Sequence, residues 1–350
     1  MTDLYTPYML RCIELAQMGA GFVAPNPMVG AVLVHNDRII GEGYHRQYGQ
    51  AHAEVNCIHS VAEADRSLIS SSTIYVSLEP CAHFGKTPPC SDLIIQNKIP
   101  KVVIGCRDPF AEVNGRGIAK LQKAGLEVIT GVLETECEEL NRRFFTFYTQ
   151  QRPYIILKWA QTANGKIAAT TNERLHISNE YSNRRVHQWR SEEAAILVGT
   201  NTALKDDPSL NNRLWKGSQP IRLVLDMNLR LPNTLKIFDQ QQKTIIFNGK
   251  KQAENGNIMY HQIDNDRNII RQILDVCYQL NIQSILVEGG TQLLQSFINE
   301  NQWDEIRTIT NESLTVTEGL NAPTLKSNPV KTEKISTDYI NYYINKQVNQ

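Results

Sequence analysis

Apolar and polar positions alternate between two periods along this chain. Residues 7–19 carry a helical pattern, with Thr6 placed to cap it, Pro7 in its first turn and Gly19 as a stop. Residues 28–34 form an apolar run, and Asn36-Asp37 turns it into Ile39-Ile40 as a strand pair. A helix is predicted over 51–64, strands over 73–78, 101–105 and 126–130, and a helix over 118–124. Such alternation predicts an α/β sandwich around a largely buried sheet.

The segment 134–151 is polar and helical, and Pro153 resets the backbone before a new strand at 154–160. A boundary is therefore expected near residues 150–153, giving domains over 1–150 and 151–350. The second half repeats the α/β alternation, with strands at 194–198, 221–225, 244–247 and 284–287, and helices at 182–191, 269–280 and 292–299. Beyond Glu318 the pattern weakens, and no element is assigned to 326–334.

Composition narrows the classes. At about 150 residues per domain, 350 residues suggest two domains, and 41% hydrophobic content is enough for real cores. Lys+Arg and Asp+Glu both total 36, so the net charge is zero, which argues against nucleic acid as a partner. No apolar run approaches the ~18 residues of a membrane span, and the first residues lack a secretory pattern, so a cytoplasmic protein is expected. Seven irregularly spaced cysteines point to thiols or metal ligands rather than a disulfide framework.

The strongest chemical signal is His52-Ala53-Glu54 followed by Pro80-Cys81 and Cys90. One imidazole and two thiolates suit Zn2+, and three protein ligands leave a fourth position for chemistry. Glu54, two residues beyond His52, is placed as the general acid/base of a zinc deaminase, not as a ligand. Nucleobase deaminases carry Pro-Cys-x-x-Cys; here eight residues, Ala82 to Pro89, separate the two cysteines.

In the second half two strand–turn–helix junctions stand out, Val198-Gly199-Thr200-Asn201-Thr202 and Val287-Glu288-Gly289-Gly290-Thr291. Small residues let backbone N–H groups approach an anion at a helix start. Neither junction is the Gly-x-Gly-x-x-Gly fingerprint, but together they point to a phosphate-bearing cofactor.

Several runs resemble the deaminase half of the bifunctional riboflavin-biosynthesis deaminase–reductase family: Pro25-Asn26-Pro27-Met28-Val29-Gly30, Gly43-Tyr44-His45, His52-Ala53-Glu54, and Leu78 to Cys90 with its long insert. Arg152-Pro153-Tyr154, Leu157-Lys158, Gly165-Lys166, Asp206 to Leu210, Arg213 and Glu288-Gly289-Gly290 are similar to its reductase half. The resemblance covers roughly residues 5 to 310. It implies an N-terminal cytidine-deaminase-like α/β/α domain and a C-terminal dihydrofolate-reductase-like α/β domain. The implied substrate is a small phosphoribosylaminopyrimidine. Its ring loses the 2-amino group to water, and its ribosyl chain is then reduced to ribityl with NADPH as donor.

The resemblance further implies roles by position. His52, Cys81 and Cys90 hold zinc, while Asn26, His45, His83 and Lys86 contact the first substrate. Ala160, His176, Thr202, Asp206, Gly290, Thr291, Gln292 and Leu293 contact NADPH, and Arg174, Arg190, Leu210, Arg213 and Glu288 contact the second substrate. Lys158 and Asp206, with Glu288, are the polar groups near the reacting carbon. His176 stands where many relatives carry Trp, and Asn164 where Asp is common. A homo-oligomer is also expected. The alternatives are a deaminase with an inactive second domain, a nucleic-acid-editing deaminase and a non-enzymatic zinc scaffold; NADPH binding and turnover separate them.

Overall fold

A strand that is apolar on both faces needs a layer on each side, and the buried runs of this chain meet that demand twice. The computed structural model describes residues 4–82, 88–170 and 175–346. It divides into two units, Met1–Gln150 and Gln151–Gln350.

In the first unit, β1 (Gly30–His35), β2 (Arg38–Tyr44), β3 (Thr73–Leu78), β4 (Lys101–Cys106) and β5 (Glu127–Thr130) form one sheet in the order β2-β1-β3-β4-β5. Asn36 and Asp37 both adopt positive φ, 46° and 60°, so β1 and β2 close as a tight antiparallel hairpin. β1 also pairs antiparallel with β3, while β3, β4 and β5 are parallel. The helices are α1 (Thr6–Gln17), α2 (Ala53–His59), α3 (Cys90–Gln96), α4 (Arg116–Lys123), α5 (Glu134–Leu140) and α6 (Arg142–Gln150). Alternate strand residues point to opposite faces. Leu33, Val76 and Ile104 pack with Cys57 of α2, Ile94 of α3 and Leu121 of α4. Val32, Tyr75 and Val103 pack with Met9 and Cys12 of α1 and Cys137 of α5.

Two sequence expectations need correction. Thr6 is the first helical residue, and Tyr5 occupies the cap position. The helix expected over 51–64 ends at His59, followed by a 3₁₀ segment at Glu63–Ser71. The Ser60 hydroxyl donates to Cys57 O at 2.7 Å and accepts the Glu42 N–H at 2.8 Å, competing with helical continuation.

The second unit contains β6 (Tyr154–Thr162), β7 (Lys166–Ala169), β8 (Ala195–Gly199), β9 (Ile221–Leu225), β10 (Thr244–Asn248), β11 (Ala253–Asn255), β12 (Ile258–Gln262), β13 (Ser284–Val287), β14 (Glu305–Asn311), β15 (Gly319–Asn321), β16 (Lys331–Ile335) and β17 (Asp338–Ile344). Ten of them make one sheet in the order β11-β12-β10-β9-β8-β13-β6-β14-β17-β16, and β7 pairs with β15 apart from it. The run from β12 to β14 is parallel; β11, and the β16–β17 hairpin at the other edge, are antiparallel. The helices are α7 (Glu180–Glu192), α8 (Thr200–Asp206), α9 (Ile269–Gln279) and α10 (Thr291–Asn299). Asn179 and Asn268 cap α7 and α9 by accepting the N–H of Ser182 and Arg271. Leu197, Leu223 and Ile245 pack with Ile273 of α9 and Phe297 of α10. Ile196, Val224 and Ile246 pack on the other face with Val186 and Trp189 of α7.

The sequence reading missed β14 and the hairpin that extends it. β14 lies beside β6 inside the sheet, but its apolar rhythm is broken by Glu305 and Arg307. Both are buried and paired at 2.6 Å, with Arg307 also over the Trp189 ring. A buried ion pair looks, in sequence, like a solvated face.

Candidate active sites

The first site is assembled at the starts of two helices and the end of a strand. His52 occupies the cap position of α2, Glu54 lies in its first turn, Cys81 follows β3, and Cys90 opens α3. The His52 Nδ1 lies 3.7 Å from Cys81 Sγ and 3.3 Å from Cys90 Sγ, and all three donor atoms lie within 4.8 Å of one another. Bonds of about 2.0–2.1 Å to nitrogen and 2.3 Å to sulfur in a tetrahedron put nitrogen and sulfur ligands about 3.5 Å apart. The donor set therefore fits zinc in both chemistry and spacing. The Cys90 N–H donates to Cys81 Sγ at 3.3 Å. Hydrogen bonds from Cys90 and His52 lower the Cys81 thiol, so this sulfur favours the thiolate form.

Glu54 is 3% exposed, and burial raises its carboxyl above the ordinary range. A cavity of about 300 Å³ opens onto it, lined by Asn26, His45, Tyr48, Asp108, Phe110 and Tyr148. Asn26 Nδ2 lies 3.2 Å from His45 Nε2, and His45 Nδ1 lies 3.1 Å from Ala51 O. Burial lowers the His45 pKa, favouring the neutral ring. The structure thus brings Asn26, His45, His52, Glu54, Cys81 and Cys90 together. His83 and Lys86 lie outside the described residues, as does Arg174 of the second half.

Sequence reasoning missed Asp108 and the aromatic wall. Asp108 follows β4 at its carboxyl end, the edge of a parallel sheet where ligands bind. Burial pushes its carboxyl up to about 7. Phe110 and Tyr148 pack at 4.9 Å between ring centres, and Phe144 joins Tyr148 at 4.7 Å. Position relative to β4 was the available signal for Asp108; nothing local marked α6 as a wall.

Glu79, just before the metal loop, has a different task. Its carboxylate accepts the N–H groups of Gly115 and Gly117 at 2.9 Å, Ile118 at 3.2 Å and Asp108 at 3.3 Å, capping the start of α4. A Cβ at Gly117 would lie 2.0 Å from Pro80 O, so only glycine lets α4 approach this loop.

In the second unit, β8 ends at Gly199 before α8, and β13 ends before Glu288-Gly289-Gly290 and α10. A cleft of about 500 Å³ lies there, lined by Thr202, Gly290, Thr291, Gln292 and Leu293 among others. A Cβ at Gly290 would come within 3.3 Å of Thr202 Oγ1, so the two junctions face each other across a narrow gap suited to a phosphate-bearing group. Ala160, His176 and Asp206 do not line this cleft: Ala160 lies in β6, His176 is exposed, and Asp206 ends α8 half-buried.

Glu288 gathers the cations. Arg190 holds it with Nε–Oε1 at 2.9 Å and Nη2–Oε2 at 2.8 Å, and Lys158 Nζ lies 3.6 Å from Oε2. Burial alone would raise this carboxyl, but Arg190 and Lys158 outweigh it and lower it to about 2. Arg190 also donates to Asn211 O at 3.2 Å. The Arg213 N–H donates to His187 Nδ1 at 3.0 Å, and its guanidinium reaches Asn211 Oδ1 at 2.6 Å. Leu210 is buried, with φ at +48°.

Fold and sites together define a zinc deaminase joined in one chain to a reductase. The cytidine and deoxycytidylate deaminase zinc-binding region matches residues 3–106, and the RibD C-terminal domain matches residues 153–339. Riboflavin biosynthesis protein RibD of Aquifex aeolicus is 40% identical over 308 residues, covering 85% of this chain and 84% of that protein. The same protein of Actinobacillus pleuropneumoniae is 40% identical over 303 residues, covering 84% and 79%. Among solved structures, a diaminohydroxyphosphoribosylaminopyrimidine deaminase/5-amino-6-(5-phosphoribosylamino)uracil reductase from Thermotoga maritima matches with a TM-score of 0.87 at 36% identity, covering 97% of this chain and 98% of that one. The chain belongs to the RibD family of riboflavin biosynthesis proteins. It is a bifunctional enzyme of that pathway, a deaminase and a reductase, with Zn2+ and NADPH as its cofactors. Among the described residues no helix is long and apolar enough to cross a membrane.

Proposed function

We propose that residues 1–150 deaminate 2,5-diamino-6-(5-phosphoribosylamino)pyrimidin-4-one and that residues 151–350 reduce the ribosyl chain of the product to ribityl. The observation that carries the first step is a buried carboxyl, Glu54, beside a His52–Cys81–Cys90 donor set at the floor of an aromatic-walled cavity. When bound, zinc supplies the Lewis acidity that makes water nucleophilic near neutral pH. Glu54 takes a proton from the attacking water and delivers it to the departing amine. Water is consumed, the carbon–nitrogen bond breaks, and ammonia leaves as the ring gains a carbonyl. Asn26 and His45 orient the ring through complementary donors and acceptors. Phe110 and Tyr148 exclude water from its face. His83 and Lys86 contact the phosphoribosyl arm.

For the second step NADPH, when bound, supplies the hydride. The Gly290–Leu293 turn and Thr202 hold the cofactor, with Ala160, His176 and Asp206 as further contacts. Lys158 and Glu288 stand at the reacting carbon of the sugar, with Asp206 as a further polar group. Lys158 donates the proton, and Glu288, kept ionised by its two cations, holds the ammonium in place. Arg174, Arg190 and Arg213 hold the sugar-phosphate end, where planar forks suit phosphate oxygens, and Leu210 packs beneath it.

The enzyme works in the cytoplasm, a reading supported by seven cysteines none of which is in a disulfide. It works as a homo-oligomer, for which β16, one of the two outermost strands of the large sheet, offers an edge; light scattering reads the mass. The purified protein, given the diaminopyrimidinone without NADPH, releases ammonia only; added NADPH is then oxidised. Ammonia release without NADPH oxidation would overturn the second half of the proposal.

A further inference from the structure

NADPH differs from NADH by one phosphate, on the 2′ position of the adenosine ribose. A cleft that prefers NADPH must therefore supply a cation for that dianion. Among the described residues lining the cleft between the β8 and β13 junctions, Arg230 is the one cationic side chain. It is exposed, and it has no hydrogen-bond or ion-pair partner among the described residues. The other cations near the candidate reductase site lie outside this cleft: Arg190 and Lys158 pair with Glu288, and Arg213 bonds to Asn211.

The loop that carries Arg230 is rigidly held. Asp226, at the carboxyl end of β9, is 1% exposed. Its Oδ2 accepts the Leu231 N–H at 3.0 Å, its carbonyl accepts the Leu229 N–H at 3.0 Å, and its Oδ1 lies 3.2 Å from the Thr200 hydroxyl. Leu229 adopts φ of +52°, and the Gly249 N–H ties down Met227 O at 3.0 Å. These bonds fix the turn on both sides of Arg230. They also occupy the acceptor oxygens of the Asp226 carboxylate. A carboxylate free at a strand's carboxyl end accepts the ribose 2′-hydroxyl of NADH and repels a 2′-phosphate. Asp226 stands at such an end and lines the cleft, but its oxygens are engaged, Oδ2 by the Leu231 N–H and Oδ1 by the Thr200 hydroxyl.

We infer that Arg230 is the specificity residue of the reductase unit, reading the 2′-phosphate of NADPH and setting its preference over NADH. The inference rests on the reading of this cleft as the cofactor site.

Binding is measured directly on the full-length protein, by energy transfer from tryptophan to the bound nicotinamide for NADPH and NADH, and by calorimetry for 2′,5′-ADP and 5′-ADP. Arg230→Ala should weaken NADPH and 2′,5′-ADP by about 10- to 50-fold, leave NADH and 5′-ADP within about twofold, and flatten the salt dependence of NADPH binding. Arg230→Lys should retain most of the preference, because the charge remains. A change under about threefold for NADPH, or an equal loss for NADH, would overturn the proposal. Gly290→Leu tests the cleft itself: it should weaken both dinucleotides together. Undiminished binding of both in that variant would mean that the cleft is misread, a failure distinct from a null result at Arg230.

Discussion

At the residue scale, the proposed deamination rests on the difference between a carboxyl placed to move a proton and one that only holds backbone. Glu54 is sealed in the cavity floor, whereas Glu79, two residues before Cys81, spends its carboxylate on four backbone N–H groups. Glu54→Gln keeps the hydrogen-bonding shape but cannot carry the proton. Ammonia release should fall by on the order of 10² to 10⁴-fold with zinc content unchanged; activity above about a tenth of native would remove Glu54 from the acid/base role. In the reductase, Arg190 and Arg213 are not equivalent. Arg213→Ala loses an exposed charge and should cost about 1.5–3 kcal/mol of transition-state binding, roughly 10- to 150-fold in kcat/KM for the deaminated intermediate, with NADPH affinity little changed. Arg190→Ala leaves the buried Glu288 carboxylate with Lys158 alone and should also lower unfolding stability, by about 3–5 kcal/mol. Urea titration of both variants separates them: equal stability would mean that the Arg190–Glu288 pair does not hold in solution.

At the scale of elements, α7 and the loop over 207–217 are tied by an imidazole. His187 on α7 accepts the Arg213 N–H, so protonation of Nδ1 breaks the tie. Burial first, then Arg190 and Arg213, lower its pKa from 6.5 to about 4. A depressed histidine stays neutral in the fold while the unfolded chain takes a proton, so stability is lost as pH falls from about 6.5 toward about 4. Glu288 adds a second loss lower down. Its folded value is depressed, so its contribution is intact above about 4.5 and disappears as pH falls toward about 2. All four tryptophans, Trp159, Trp189, Trp215 and Trp303, lie in the second unit, so their fluorescence reads its unfolding selectively. Urea midpoints should fall between pH 6.5 and 4, and His187→Gln, which keeps an acceptor but cannot charge, should flatten that limb. Parallel curves for native and variant would show that this imidazole does not titrate late.

At the scale of the molecule, two chemistries occupy two units, each with its own core and cavity. Cys90→Ser removes a thiolate from a three-donor set and should empty the metal site and abolish deamination. Reduction of supplied intermediate should persist near the native rate, because every proposed reductase residue lies beyond Gln150. Full zinc occupancy in this variant, measured by metal analysis, would sink the ligand assignment; loss of both activities would end the functional independence of the units.

Much of this was determined along the chain itself. The apolar runs at β3, β9 and β13 give strands wherever they are placed, because a run apolar on both faces must be covered on both. His52, Cys81 and Cys90 declare a metal site by residue type and spacing, with Glu54 beside them, since few other arrangements use that donor set. Tertiary structure decided what depends on partners distant in sequence. β14 reads as polar because Glu305 and Arg307 neutralise each other only when folded. Asp108, Phe110 and Tyr148 become one wall only when β4 and α6 are placed around the cavity. Arg190 becomes the partner of Glu288, 98 residues away, and Arg230 comes to line the cleft between the β8 and β13 junctions through the turn that Asp226 holds. Local chemistry sets which residues can act; long-range packing sets their distances, and with them each group's charge and reach.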